Sequence, residues 1–87
     1  MIMDMAATNI EHDLASDAAS AVIRIVEGRR MVVLAETLAI LVAYHMAQSK
    51  AAGRTDADAD DASRTLLDSV MEAARHYDSI GLIQRTQ

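Results

Sequence analysis

The sequence has no cysteine, no proline, no phenylalanine and no tryptophan, and only two tyrosines. Without cysteine there can be no disulfide, no thiolate metal site and no thiol nucleophile. The apolar content is therefore alanine, valine, isoleucine, leucine and methionine, which in a chain free of proline favours helix. Glycine occurs only as Gly28, Gly53 and Gly81, so a glycine-rich phosphate loop is missing. No serine lies in a strand–turn–helix elbow, so nucleophilic catalysis has no support. Basic residues are few: eight Lys and Arg stand against thirteen Asp and Glu, a net charge of −5. Such a chain lacks the basic footprint that phosphate backbones require. Direct nucleic-acid binding is not expected, and a basic protein surface is the more natural partner.

Long apolar runs are scarce too. The stretch Leu38 to Met46 is far short of the roughly 20 residues a bilayer requires, and Glu36 interrupts the segment before it, so no membrane span is expected. The opening Met1-Ile2-Met3-Asp4-Met5 has no basic region and no sustained apolar run, so no targeting signal is expected, and the absence of cysteine suits a cytoplasmic setting. Eighty-seven residues make one domain, near the lower limit for a core that is stable alone. The expected organisation is a tail over 1–7, a helical domain over 8–83 and a polar end over 84–87.

What is present reads as three helices. Thr8 and Glu11 form a capping box, and the first helix runs from about Asn9 to Glu27. Its apolar face holds Ile10, Leu14, Ala18, Ala21, Val22 and Ile25, and its polar face His12, Asp13, Ser16, Ser20, Arg24 and Glu27. Gly28 is its stop. Val22–Val26 and Met31–Leu34, β-branched-rich and flanking a glycine, offer a short hairpin as the competing reading. Helix is preferred because residues 20–26 continue the same stripe.

The second helix, about Arg30 to Ala52, organises the chain. It is apolar nearly all round and needs cover on most sides. Its polar sector holds Arg30, Glu36, Thr37, Tyr44 and Gln48, with Val33 and Ile40 set inside it. Met31, Leu34, Leu38, Leu41 and Val42 lie opposite. Ala35, Ala39, Ala43 and Ala47 form a ladder of small residues that another helix can approach closely. Gly53 ends this helix, Thr55 with Asp58 caps the third, and the third runs to about Ser79 or Ile80 with Gly81 and Leu82 as a Schellman stop. The short connector predicts antiparallel packing. The expected fold is an all-α, three-helix antiparallel bundle. Two partner helices cannot cover the whole second helix, so a homodimer through Val33, Ile40 and Tyr44, or through the alanine ladder, is expected.

Asp56-x-Asp58-x-Asp60 matches the opening of a calcium loop, but Asp61 stands where glycine is needed and Leu67 where a bidentate glutamate is needed. The aspartates read instead as a charged helix start, and no metal or other cofactor is expected. With Asp68 and Glu72, the group Asp56, Asp58, Asp60 and Asp61 also offers a negative strip that imitates nucleic-acid phosphates on a basic groove. His45 falls in the apolar arc of the second helix and is expected to hydrogen-bond to one polar neighbour, Ser63 or an aspartate. Arg24, Arg29 and Arg30 are the one basic patch, without aromatic residues between them.

The run Glu27-Gly28-Arg29-Arg30-Met31 leading into an apolar helix superficially resembles the helical chorismate mutases. That family needs a lysine where this chain has Ile40 and Leu41, and an Arg-Glu pair where it has Ala62 and Ser63, so membership is not claimed. The expected function is non-catalytic: a small acidic module that binds, and regulates or inhibits, a larger protein, one form being a phage anti-CRISPR-like inhibitor of a basic nucleic-acid-binding protein. A self-assembling structural subunit is the alternative. A small helical enzyme or metal protein is a further one.

Overall fold

Local signals set the ends of all three helices. A computed structural model describes residues 7–83. In it α1 spans Asn9–Val26, α2 Met31–Ala51 and α3 Asp56–Ser79, with no strand among the described residues. The helical reading of Val22–Val26 and Met31–Leu34 is therefore the observed one. Residues 1–6 of the expected tail and the polar end at 84–87 lie outside the described residues.

At the start of α1 both halves of the capping box form. Thr8 Oγ1 accepts from the Glu11 amide at 3.2 Å, and Glu11 Oε1 accepts from the Thr8 amide at 3.0 Å. Each bond satisfies an amide that the first helical turn leaves free. The backbone hydrogen bond from Thr8, helped by the Thr8 hydroxyl, holds the Glu11 carboxyl below the usual carboxylate range. Thr55 caps α3 by accepting from the Asp58 amide at 3.1 Å.

The exits use two devices. After α3, the Leu82 amide donates to the Tyr77 carbonyl and the Gly81 amide to the Asp78 carbonyl, the paired bonds of a Schellman motif. Gly53 closes α2 in the same way, with Gly53 bonded to Lys50 and Arg54 to Ser49. Gly28 works differently from a helix cap. Glu27 is extended at φ −59° and ψ 132°, Gly28 has φ +74°, and the Arg29 amide donates to the Val26 carbonyl at 3.0 Å. That combination is a type II turn, whose third residue requires positive φ.

The chain divides into two compact units. Among the described residues one holds 7–44, with α1 and the longer part of α2, and the other holds 45–83, with the end of α2 and all of α3. In the second unit α2 and α3 run antiparallel. His45 pairs with Ser63 and Lys50 with Asp56, so residue numbers rise on one helix as they fall on the other. Small side chains set this contact: Ser49, Ala59 and Ser63 are the buried residues among those described, and they let the two backbones come close.

In the first unit the half-buried residues are Val22 and Val26 of α1 and Val33, Leu34, Thr37 and Val42 of α2. Thr37 turns its hydroxyl back to the Val33 carbonyl at 2.7 Å, which satisfies it without another side chain. The α1 stripe expected to face inward does not do so as a whole. Val22 is half-buried, while Ile10, Leu14, Ala18, Ala21 and Ile25 are exposed. The alanine ladder of α2 is exposed as well. Periodicity had found the apolar side of α1 correctly; what covers that side is decided by packing, and α1 turns instead toward Val22 and Val26.

Candidate protein-binding surface

Helix α3 places the acidic residues, and it does not place them on one strip. Asp56 lies 3.4 Å from the Lys50 ammonium, and Asp60 accepts from Arg64 Nε at 2.8 Å, an i,i+4 pair. The bond to Asp60 pushes the Arg64 guanidinium above its ordinary value, with the charges of Asp60 and then Asp61 adding to it. These exposed pairs contribute little to stability. They do neutralise the two carboxylates that they hold. Asp61, Asp68 and Glu72 follow one another at spacings of seven and four, which puts them on one face of α3. All three are exposed, and none has an ion pair among the described residues. Asp58 sits in the first turn, where its carboxylate suits the helix N-terminus. The six acidic candidates thus resolve into two paired carboxylates, one at the helix start and an outward edge of three.

The calcium-loop pattern falls entirely within the first turns of α3, where a helical backbone cannot wrap an ion. No group of three or more metal-ligating side chains gathers among the described residues. His45 Nδ1 lies 2.8 Å from the Ser63 hydroxyl, the first of the two partners expected for it. Ser63 is 1% exposed, so this hydroxyl is enclosed between two helices, away from any approaching substrate.

The basic patch is turned to local use. Arg29 Nε donates to the Ile25 carbonyl at 2.9 Å, and Arg24 Nε reaches the Ser20 carbonyl at 3.5 Å. Both guanidinium groups sit at the negative end of α1, where cations are favoured and an anion is not.

Apolar surface is the larger feature. Ala59 is the sole buried apolar residue among those described. Of the expected dimer residues, Val33 is half-buried, while Ile40 and Tyr44 are 67% and 63% exposed. By length and composition α2 is also apolar enough to cross a membrane, and its most apolar 18-residue window holds no buried residue. Sequence reasoning missed the Ser49–Ala59–Ser63 contact. Its signal was there in Ala59 and Ser63, small residues four apart on the face of α3 opposite Arg64 and Asp68.

Comparison with known proteins leaves the geometry to speak for itself. No family model matches the chain, and neither the characterised proteins nor the solved structures gave a match.

Proposed function

We propose that the protein is a small, acidic, non-catalytic protein-binding module: a homodimeric three-helix bundle that regulates or inhibits a larger cytoplasmic partner. One form of this function is occlusion of a basic nucleic-acid-binding surface, in the manner of an anti-CRISPR inhibitor, without contact to nucleic acid or membrane. The edge of Asp61, Asp68 and Glu72 carries the reading. Three carboxylates on one helix face, without ion pairs among the described residues, are electrostatically complementary to a basic groove, and Asp58 extends the charge toward the helix start. Of the expected dimer residues, exposed Ile40 and Tyr44 are the proposed contact, and half-buried Val33 lies behind them.

A tagged protein retained on resin from its native lysate tests this. The expected result is stoichiometric capture of a basic nucleic-acid-binding protein, weakened about tenfold or more by the triple change Asp61→Lys, Asp68→Lys and Glu72→Lys. Equal capture by the triple variant would remove the acidic edge from the reading. The exposure of Ile40 and Tyr44 favours a second reading, a subunit that assembles with itself. Recovery of the protein alone, with a ladder of masses in light scattering, would support that reading over the inhibitor.

A further inference from the structure

We infer that the exposed apolar stripe of α1 is covered by the α1 helix of a second copy, laid antiparallel across a two-fold axis. The inference rests on the homodimer reading above and names its central contact.

The stripe is Ile10, Leu14, Ala18, Ala21 and Ile25. Its three large members are 74%, 64% and 64% exposed. Spacings of four and three keep these residues on one side of the helix. Val22 and Val26 mark the inner side of α1, and Val33, Leu34 and Thr37 that of the facing part of α2. For two antiparallel helices with those inner sides, helical phase puts Ile40 on the same side of the hairpin as the α1 stripe. Exposed large apolar side chains in one row mark an interaction surface.

Exposure alone does not choose an occupant; the charges beside the stripe do. Asp13, Asp17 and Arg24 follow at spacings of four and seven, so they line one edge of it. None of the three is in an ion pair among the described residues. In an antiparallel pairing that sets Leu14 against Ile25 of the second copy, Ala18 meets Ala21. Arg24 then falls opposite residue 15 of the other chain, midway between its Asp13 and Asp17. The two-fold repeats this arrangement at the other end. A parallel two-fold pairing would put this edge of the two copies on opposite sides of the seam, where Arg24 meets neither Asp13 nor Asp17. Edge charges of this kind fix orientation in paired helices. The match is of this chain with itself, which is why a second copy is favoured over an unrelated protein.

The chain has no native cysteine among the described residues, so disulfide trapping reads the orientation directly. Light scattering of the wild type comes first, and twice the chain mass is expected. Leu14→Cys and Ile25→Cys proteins are then mixed and oxidised. A mixed disulfide dimer is expected, with little cross-linking of either protein alone, because in this register two copies of residue 14 lie about 16 Å apart along the axis. Asp17→Arg and Arg24→Asp should each raise the dimer dissociation constant about tenfold, and their combination should restore it, since each exchange is made twice by symmetry. A monomeric wild type would overturn the dimer reading itself. A dimer in which Leu14→Cys cross-links alone, or whose affinity ignores both charge changes, would keep the dimer and overturn the α1 pairing.

Discussion

Ser63 and His45 form the one side-chain hydrogen bond that ties α2 to α3 among the described residues. Their 2.8 Å contact joins a hydroxyl that is 1% exposed to a half-buried ring. Replacing Ser63 by alanine takes away the ring's partner while leaving it in place, and the unmet group costs more than the net worth of the bond. Ser63→Ala should therefore destabilise the fold by about 1 kcal/mol, and His45→Leu by a similar amount. The double variant should lose less than the two together, a coupling of about 1 kcal/mol in urea unfolding. Strict additivity would show that the contact contributes nothing as a pair. This bond was readable in the sequence because a four-residue connector fixes which residues of an antiparallel pair come level. The acidic cluster was read less well. Counting aspartates leaves out Lys50 and Arg64, and those cations split a supposed strip into paired and outward carboxylates.

Element boundaries were the most legible feature because their signals are local. Thr8 and Glu11 announce the start of α1 through bonds three residues apart, and Gly53 and Gly81 end α2 and α3 through backbone bonds of the same short reach. What α1 and α2 turn toward was not legible. The α1 stripe identifies an apolar side without identifying its cover, and α2 is apolar nearly all round, so its sequence gives no phase. Gly28 shows how a correct stop can hide the wrong device: its positive φ serves a type II turn between α1 and α2 and not a helix cap. A Cβ built there meets nothing within 4 Å, so the cost of a side chain is backbone strain alone. Gly28→Ala should lower stability by about 1–2 kcal/mol, the usual penalty for an L-residue with left-handed φ. Gly28→Asn should cost less, since asparagine tolerates that region better. Equal losses for the two in chemical denaturation would mean that the turn relaxes instead of holding its φ.

At the scale of the whole molecule, the chain's difficulty is cover. Among the described residues it shields Ala59 and two serines, while Ile10, Leu14, Ile40 and Tyr44 are exposed. For a chain of 87 residues, association is one route to a larger core. If that cover is a second copy, folding and dimerisation are one equilibrium, and stability must depend on protein concentration. A tenfold increase in concentration is worth about 1.4 kcal/mol, which for a dimer of this size should raise Tm by about 3–5 °C. The slope should vanish for Leu14→Asp, which places a charge in the proposed seam. Helix α2 gives the same experiment a second arm, because its length and composition also suit a bilayer. Phosphatidylcholine vesicles should leave the wild-type Tm unchanged when the apolar faces are already covered by protein. A Tm that ignores protein concentration but rises with added vesicles would mean that lipid, not a second chain, completes the fold.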